Sequence, residues 1–315
     1  MKIKRASITF GVVTLLYLSA LIWVDSNKSI FGRLPELITV FPTLLLLSVS
    51  SYLLRYLRWH WLLYRAGYSI AAGIGFLAYI SGFAFTATPG KVGELVRIRY
   101  LKQLSVPHYS VISAFLYERT FDLISVLLIA SMASAQFGFF PYIAVFVTLV
   151  ISVVIVLARN PRWISFIMVR LRLRRWGRLS KLARMIKSGI RGVKVWSDPL
   201  DITISVILGL LAWGATAMAF VLLLEYMGVV IPFTTAIAIY PLSMLVGAAS
   251  MLPGGVGSTE AAIVGMLSFF GVPISVAITV AVGIRLTTLW FSILCGFISM
   301  VIFEYKLLKQ YGYDS

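Results

Sequence analysis

Long runs of apolar residues, separated by short polar stretches, occupy most of this chain. A transmembrane helix needs about 20 mostly apolar residues, whereas a strand of a membrane barrel alternates apolar and polar positions over about ten residues. The runs here are continuous and long enough, or nearly so, for helical spans, so the pattern predicts helices. They lie near residues 6–24, 37–57, 70–88, 108–134, 141–158, 202–227, 233–252, 257–270 and 273–303.

The composition excludes a soluble globular protein and a disordered one. Of the 315 residues, 60% are hydrophobic and only 12% are charged, and the mean hydropathy is +0.95. Soluble domains carry about 25% charged residues, and disordered chains have low hydrophobicity. A polytopic helical membrane protein remains. Its first apolar run, 6–24, is long and no small-residue cleavage site follows it, so we expect a first transmembrane helix there rather than a signal peptide.

The net charge of +17 comes from 28 Lys and Arg against 11 Asp and Glu. In a membrane chain such an excess indicates cytoplasmic loops and contact with anionic lipids rather than with nucleic acid. The stretch 159–196 holds 12 Lys or Arg and no acidic residue. Its second part has the spacing of an amphipathic helix that binds the lipids of an anionic leaflet. A solvated cytoplasmic loop whose charge only sets the topology is an equal alternative.

The chain has one cysteine and two histidines. Cys295 lies in an apolar run, so no disulfide framework is expected. His60 and His108 are too scattered for a His-based metal site. We therefore expect no metal, no cofactor and no catalytic residue.

The positive-inside rule constrains how the apolar runs cross the membrane. It places the basic N-terminus, the cluster of Arg55, Arg58 and Arg65 after the second run, and the stretch 159–196 in the cytoplasm. These placements agree only if two segments of the chain form hairpins, each of which enters and leaves the membrane on the same side. The expected fold is therefore all-α, with about six transmembrane helices, two re-entrant hairpins that turn at Pro-Gly sequences, and both termini in the cytoplasm.

These constraints divide a single membrane domain, 1–315, into successive parts. The parts are a first transmembrane helix and outer loop at 1–36; a first half at 37–134 with its hairpin at 70–102; a connecting helix and basic segment at 135–201; a second half at 202–304 with its hairpin at 233–270; and a cytoplasmic tail at 305–315.

The two hairpin turns share a sequence pattern that indicates an internal repeat. In each half a Pro-Gly and a Val-Gly precede a Glu, and an Arg follows that Glu by 25 residues. The turn residues are Pro89, Gly90 and Gly93 in the first half and Pro253, Gly254, Gly255, Gly257 and Ser258 in the second. One hairpin from each side gives the halves inverted topology, as in many transporters. We expect close backbone approach at Gly93 and Gly257, and a helix N-cap at Ser258 or Thr259.

Charged side chains inside apolar runs are costly and indicate function by default. We expect substrate binding by Lys91, Glu94, Arg97, Glu118, Arg119, Asp122, Glu260 and Arg285. Guanidinium groups fit phosphate oxygens, so Arg119 and Arg285 are the expected phosphate ligands, each neutralised by the Glu of its own half in the empty state. The alternative is that Glu94–Arg119 and Glu260–Arg285 are structural salt bridges that fix each hairpin to the next helix.

Three sequence blocks resemble a known family. PGKVGELVRIRYL (89–101), ERTFD (118–122) and PGGVGSTEAA (253–262) are similar to the lysylphosphatidylglycerol synthase transmembrane region, a family of flippase-like integral membrane proteins. The resemblance spans about 37–303. It implies movement between leaflets of a lipid with a charged headgroup, either an aminoacylated phospholipid or a polyprenyl-phosphate-linked sugar. By this resemblance the motif positions are Glu94, Arg97, Glu118, Arg119, Asp122 and Glu260.

The sequence therefore favours a flippase, and not an enzyme, in the plasma (bacterial inner) membrane. Its cargo would be a phospholipid or a polyprenyl-phosphate-linked sugar, moved by alternating access. The soluble aminoacyl-transferase domain of the full synthases has no counterpart here, so we expect no lysyl transfer. One alternative is an intramembrane enzyme acting on a lipid phosphate, for which the chain offers no His pair and no Ser–His arrangement. Another is a non-transporting partner of a glycosyltransferase or lipid synthase, docked through 159–196.

Overall fold

The computed structural model describes residues 37–133, 135–160, 189 and 192–311. The helix expected at 6–24 and nearly all of the basic stretch 159–196 lie outside the described residues, so both stay predictions. The described residues form helices α1 (Phe41–Arg65), α2 (Ala72–Ser81), α3 (Arg97–Gln103), α4 (His108–Ala130), α5 (Phe140–Arg159), α6 (Pro199–Tyr226), α7 (Phe233–Ala249), α8 (Ser258–Phe269), α9 (Ile274–Arg285) and α10 (Phe291–Tyr311). Over these ranges the structure contains no β-strand.

Short irregular helical turns join several of these helices. The 3₁₀ turn Gly82–Phe85 extends α2, and the 3₁₀ segments Pro89–Val96 and Pro253–Gly255 form the two Pro-Gly turns. A π-helical turn, Leu286–Trp290, connects α9 to α10 without a break in the helix. Such π turns often lie at functional sites.

Two helical stretches, Pro199–Tyr226 and Ile274–Lys306, are long and apolar enough to cross a membrane on their own. Shorter apolar helices cover Ala72–Phe85, Phe140–Val153 and Phe233–Ala249. The all-helical architecture of the described residues agrees with the prediction of a helical membrane protein.

Helices α1 and α6 pack antiparallel along the centre of the bundle. At one end, which we call end A, Arg65 Nε donates to Asp201 Oδ1 at 3.0 Å and Arg65 also pairs with Asp198. At the other end, end B, the hydroxyl oxygens of Thr39 and Tyr226 are 2.6 Å apart. The positions of the hairpins are described relative to these two ends.

The chain reverses at both Pro-Gly turns. The first hairpin, α2 to α3, has its open end at end A, where the Tyr68 and Ser110 hydroxyl oxygens lie 3.0 Å apart beside the start of α4. The second hairpin, α7 to α8, has its open end at end B, where Phe137 packs against Phe269 and Phe270. The two hairpins therefore enter the bundle from opposite ends.

Helix α1 is longer than the apolar run that predicted it. The run ends near residue 57, but the helix continues to Arg65 because Trp59, Leu62 and Leu63 carry its buried stripe onward. The assignment of Arg55 and Arg58 to a cytoplasmic cluster after the span is therefore wrong, because both lie within α1 and are buried. Arg65 alone of the three lies at the helix end. Likewise, the segment 305–311 is helical as part of α10, although a tail is predicted from 305.

Candidate functional site

The two Pro-Gly turns meet inside the bundle. The Pro89–Val96 segment packs against Pro253–Gly255, and a Cβ added to Gly254 would lie 3.2 Å from Ala87 Cα. Both turns place two consecutive residues in the left-handed region. These are Gly90 and Lys91 in the first turn, with φ of 61° and 55°, and Gly254 and Gly255 in the second, with φ of 63° and 64°. The first turn thus holds a lysine in a conformation that favours glycine.

The two Val-Gly glycines serve different purposes. A Cβ on Gly93 would lie 2.7 Å from Phe85 Cβ and 2.8 Å from Thr88 Oγ1, so this position requires close approach, as expected. No atom of the described residues lies within 4 Å of a Cβ at Gly257, so the expectation of close approach there is wrong. Gly257 is required instead by its φ of 84°, which a larger residue rarely adopts.

Glu260, and not a hydroxyl side chain, satisfies the start of α8. The helix begins at Ser258, and its N-cap residue is Gly257, whose N–H donates to Glu260 Oε2 at 2.8 Å. The hydroxyl of Ser258 donates to the Gly255 carbonyl at 3.1 Å, and Thr259 is buried. The expectation of an N-cap at Ser258 or Thr259 is therefore wrong. A carboxylate at this place also suits the partial positive charge of a helix N-terminus.

In the first half, Glu94 holds several donors at once. Its carboxylate accepts from the Thr86 hydroxyl at 2.9 Å and from Arg97 Nη2 at 2.8 Å, and Arg119 Nη2 lies 3.9 Å away. Arg97 reaches on to Glu118 at 3.3 Å, and its guanidinium lies over the ring of Tyr79. Arg97 and Glu118 are completely buried, so they form a paired layer behind Glu94 rather than a surface open to a ligand.

Asp122 joins three guanidinium groups. Arg55 Nη1 and Arg119 Nη2 each lie 3.0 Å from Asp122 Oδ2, and Arg58 donates to Asp122 Oδ1. Arg55 and Arg58 were missed as site residues because they follow an apolar run and match the positive-inside rule. Their spacing of three residues, on the side of α1 that also carries buried Trp59 and Leu62, is the sequence signal that could have found them.

The second half contains one simple pair. Arg285 Nε donates to Glu260 Oε1 at 2.9 Å, and Arg285 Nη2 donates to the Gly254 carbonyl at 2.6 Å. Arg285 thus fixes both the first turn of α8 and the Pro-Gly turn before it.

A central cavity of about 80 Å³ lies between the two hairpins and α1. Of the predicted site residues, Lys91, Glu94, Arg119 and Arg285 line it, together with Arg55. The rest of its lining comes from Ser48, Ser51, Tyr52, Phe83, Thr86, Trp213, Thr216, Tyr240, Met244, Gly254, Thr288, Leu289 and Ser292. The remaining predicted residues do not line this cavity. Arg97 and Glu118 form a buried pair behind it, and Glu260 is the partner of Arg285. Asp122 lines the neighbouring cavity.

That neighbouring cavity is larger and mostly apolar. It measures about 340 Å³ and lies between α4, α5 and α7, with Lys91, Arg119 and Asp122 at its polar end. Its apolar lining includes Leu123, Val126, Phe146, Val147, Val150, Leu245, Ala248 and Met251. Lys91, Arg119, Trp213 and Met244 line both cavities, so the cationic cavity and the apolar groove share a wall.

Lys91 is the one cation lining the two cavities that forms no ion pair with a described residue. Within the described residues, every other cation of the two cavities lies within 4.0 Å of a carboxylate oxygen. Lys91 also lines a third cavity of about 90 Å³ between the two turns. The residues that the structure describes include no group of three or more His, Cys, Asp or Glu suited to a metal ion.

The fold and these cavities define a helical membrane protein with a buried, mainly cationic centre. Comparison with known proteins places the chain in the family described as "Lysylphosphatidylglycerol synthase TM region", whose model matches residues 8–296. The chain belongs to this family. It is also similar to a protein called "UPF0104 membrane protein" from Methanothermobacter thermautotrophicus, with 27% identity over 299 residues that cover 89% of this chain and 88% of the relative. No solved structure matches the chain.

Proposed function

We propose that this protein is a flippase-type transporter that moves a lipid with a phosphate-containing headgroup between membrane leaflets. One observation carries the proposal, namely that a cationic cavity and an apolar groove share a wall formed in part by Lys91 and Arg119. A lipid needs such a pair of environments, because its headgroup must be solvated by polar groups while its tail stays in apolar surroundings. The family description, which names a lipid-related membrane protein, supports the same class of cargo.

The cationic cavity has the chemistry of a phosphate site. Arg55, Arg119 and Arg285 present guanidinium groups, which bind phosphate oxygens through paired N–H donors, and Lys91 adds an ammonium group. In the structure Asp122 and, at a longer distance, Glu94 hold Arg119, and Glu260 holds Arg285. A phosphate entering between the hairpins would replace those carboxylates as the partner of the arginines.

The two hairpins give the transporter its proposed movement. We place them as re-entrant elements of an inverted repeat, with the cavity near the middle of the bilayer, where broken helices usually form transporter sites. End A would face the cytoplasm, because the positive-inside rule puts the basic stretch there. That stretch, 159–196, would bind anionic lipids of the cytoplasmic leaflet or a partner such as a glycosyltransferase or lipid synthase. Rocking of the halves would open the cavity to each leaflet in turn.

Liposome translocation tests the proposal. The full chain is reconstituted with chain-labelled fluorescent phosphatidate, phosphatidylglycerol or geranyl phosphate, and dithionite quenching reports the fraction that reaches the outer leaflet. Translocation well above that of protein-free liposomes for at least one lipid supports a flippase. Rates equal to those of protein-free liposomes for all three would refute it. Release of inorganic phosphate in the same vesicles would instead favour an enzyme, a possibility that the word synthase in the family description keeps open.

Variants separate transport from folding. Arg285→Ala removes the donor to Glu260 and Gly254, and we expect translocation at the protein-free rate with normal membrane insertion. Arg285→Lys keeps the charge and provides a second test if the alanine variant does not fold. Lys102→Gln is the matched control, because Lys102 is exposed near the end of α3 and away from the cavities. Normal translocation by both Arg285 variants would contradict a role for this arginine in cargo binding.

A further inference from the structure

The charges that line the two main cavities, taken with their ion-pair partners, do not balance. In the described part of the bundle, six cations and four carboxylates line these cavities or belong to ion pairs that reach them. Seven of these groups form one network in the first half, Arg285 and Glu260 form a separate pair, and Lys91 belongs to neither. The cations are Arg55, Arg58, Lys91, Arg97, Arg119 and Arg285, and the carboxylates are Glu94, Glu118, Asp122 and Glu260. The formal excess is two positive charges. An uncompensated charge inside a membrane is expensive, so this excess predicts an anion that completes the set.

Two of the unsatisfied cationic groups lie where that anion would bind, whereas Arg58, whose Nε and Nη1 also have no acceptor among the described residues, lines none of the three cavities. Lys91 has no carboxylate partner among the described residues, and its side chain lines all three cavities. The buried Nε of Arg119 has no hydrogen-bond acceptor in the same part of the structure. Both residues stand in the wall that the cationic cavity shares with the apolar groove. A ligand that accepts from both would have its charge at this wall and its apolar part in the groove.

The backbone at Lys91 supports a functional reason for this side chain. Lys91 has a φ of 55°, whereas the matching place in the second turn is Gly255, with a φ of 64°. A non-glycine residue in the left-handed region costs roughly 1–2 kcal/mol. Strain of this kind tends to persist at ligand sites. Glycine would fit the first turn as well, so the lysine is kept at a cost to stability.

We infer that the cargo carries at least two negative charges and no amine on its headgroup, as in a lipid phosphomonoester or a lipid diphosphate. This inference rests on the proposed function and narrows it. A phosphomonoester has a charge of about −1.5 to −2 at pH 7, which matches the excess of two. An aminoacylated phospholipid of the kind in the family description carries one phosphate charge and two ammonium groups when the amino acid is lysine. Its net charge is positive, and its amines would face Lys91 and three arginines.

Lipid binding to the full chain in detergent, followed by native mass spectrometry, tests the inference. The probes are farnesyl phosphate, farnesyl diphosphate, phosphatidylglycerol and lysylphosphatidylglycerol, with inorganic phosphate and pyrophosphate as competitors. We expect the two farnesyl probes to bind at least tenfold more tightly than either glycerophospholipid. Equal or tighter binding of lysylphosphatidylglycerol would overturn the inference. If pyrophosphate bound as tightly as farnesyl diphosphate, the inference would also be overturned, because the site would then recognise a free anion and not a lipid.

Three substitutions sharpen this test. Lys91→Gly removes the charge and relieves the backbone strain, so we expect it to melt at or above the wild-type temperature while farnesyl phosphate binding weakens by roughly 10- to 100-fold. Lys91→Gln keeps the strain and should weaken binding similarly. Lys102→Gln should bind like the wild type. Unchanged affinity in both Lys91 variants would refute the assignment.

The inference and the proposed function can fail separately. Translocation of phosphatidylglycerol at the same rate as phosphatidate, with no preference in binding, would leave a flippase but overturn the dianionic headgroup. Tight, Lys91-dependent binding of farnesyl phosphate without any translocation would support the site and overturn the flippase.

Discussion

In the first hairpin Gly90 and Lys91 adopt φ of 61° and 55°, and in the second Gly254 and Gly255 adopt 63° and 64°. The side chains around these similar turns differ. Glu94 and Arg119 of the first half correspond to Glu260 and Arg285, each 166 residues later. At the same offset, however, Arg97, Glu118 and Asp122 correspond to Ile263, Ile284 and Thr288.

The comparison separates what the scaffold needs from what one half adds. Both halves contain a Glu and an Arg that link the hairpin to the helix after it. Because this pair occurs twice, it fits a structural role, although some of its members also line the cavity. The other charges of the network occur only in the first half, where α1 contributes Arg55 and Arg58 as well; the buried Asp201 of α6 lies outside the network and pairs with Arg65 at end A. The second half shows that the same turn forms without them. Of these extra charges, Arg55 and Asp122 line the cavities, whereas Arg58, Arg97 and Glu118 are buried behind them. Arg55 and Asp122 are therefore the better candidates for chemistry specific to the cargo.

The two halves should differ most in the stability that each loses when one of its carboxylates is replaced. Asp122→Asn leaves three guanidinium groups without their shared anion, and we expect a loss of about 3–5 kcal/mol in the free energy of unfolding. Glu260→Gln removes the charge opposite Arg285, which keeps its bond to the Gly254 carbonyl, and the Gln carbonyl oxygen can still accept from the Gly257 N–H, so the loss should be smaller. Thermal and denaturant unfolding in detergent measure both. An equal loss in the two variants would contradict the view that the charge network is concentrated in the first half.

A double-mutant cycle tests whether the Arg97–Glu118 pair can be replaced by apolar residues, as in the second half. Either Arg97→Leu or Glu118→Leu leaves a buried charge without a partner, and we expect each to be strongly destabilising. The double variant should lose less than the sum of the two, with a coupling free energy of about 1–3 kcal/mol. The same unfolding measurements give the four values. Strict additivity would mean that the two side chains act independently.

The two Val-Gly glycines should respond to alanine for different reasons. Gly93→Ala forces a methyl group against Phe85 and Thr88, which we expect to cost about 1–3 kcal/mol. Gly257→Ala meets open space and costs only its backbone strain, about 1–2 kcal/mol. With φ of 84° and ψ of −53°, residue 257 lies outside the left-handed helical region that Asn tolerates, so Gly257→Asn should lose about as much stability as Gly257→Ala, whereas Gly93→Asn should be worse than Gly93→Ala. A loss at Gly257 that grows with side-chain size would instead indicate a steric contact there.

The apolar runs predicted most helices of the described residues, but α3 (Arg97–Gln103) lies in none of them and was expected only as the returning arm of the hairpin at 70–102. The bounds of α5, α6 and α7 each lie within three residues of a predicted run, and α4 begins with its run and ends four residues before it. Hydropathy failed at the end of α1, because Arg55 and Arg58 lower the average while the buried stripe of Trp59 and Leu62 continues beneath them. A window average cannot separate a charge that faces a buried carboxylate from one that faces water.

The pairing of charges was harder to predict than their positions. The repeat correctly matched Glu260 with Arg285, since these two have few competitors nearby. In the first half the same reasoning matched Glu94 with Arg119, but Arg97 lies only three residues from Glu94 and binds it more closely, at 2.8 Å against 3.9 Å. Which of several cations a carboxylate contacts depends on rotamers and on neighbouring helices, and spacing alone does not contain that information.

Each hairpin packs against the long helix that closes the other half. The first hairpin lies along α10, where a Cβ on Gly296 would collide with Phe83 and Ala84, and the second hairpin lies along α4. The halves are therefore interlocked rather than merely adjacent. A chain containing one half alone would expose the face that its hairpin normally buries, unless a second copy, inserted upside down, supplied the missing helix.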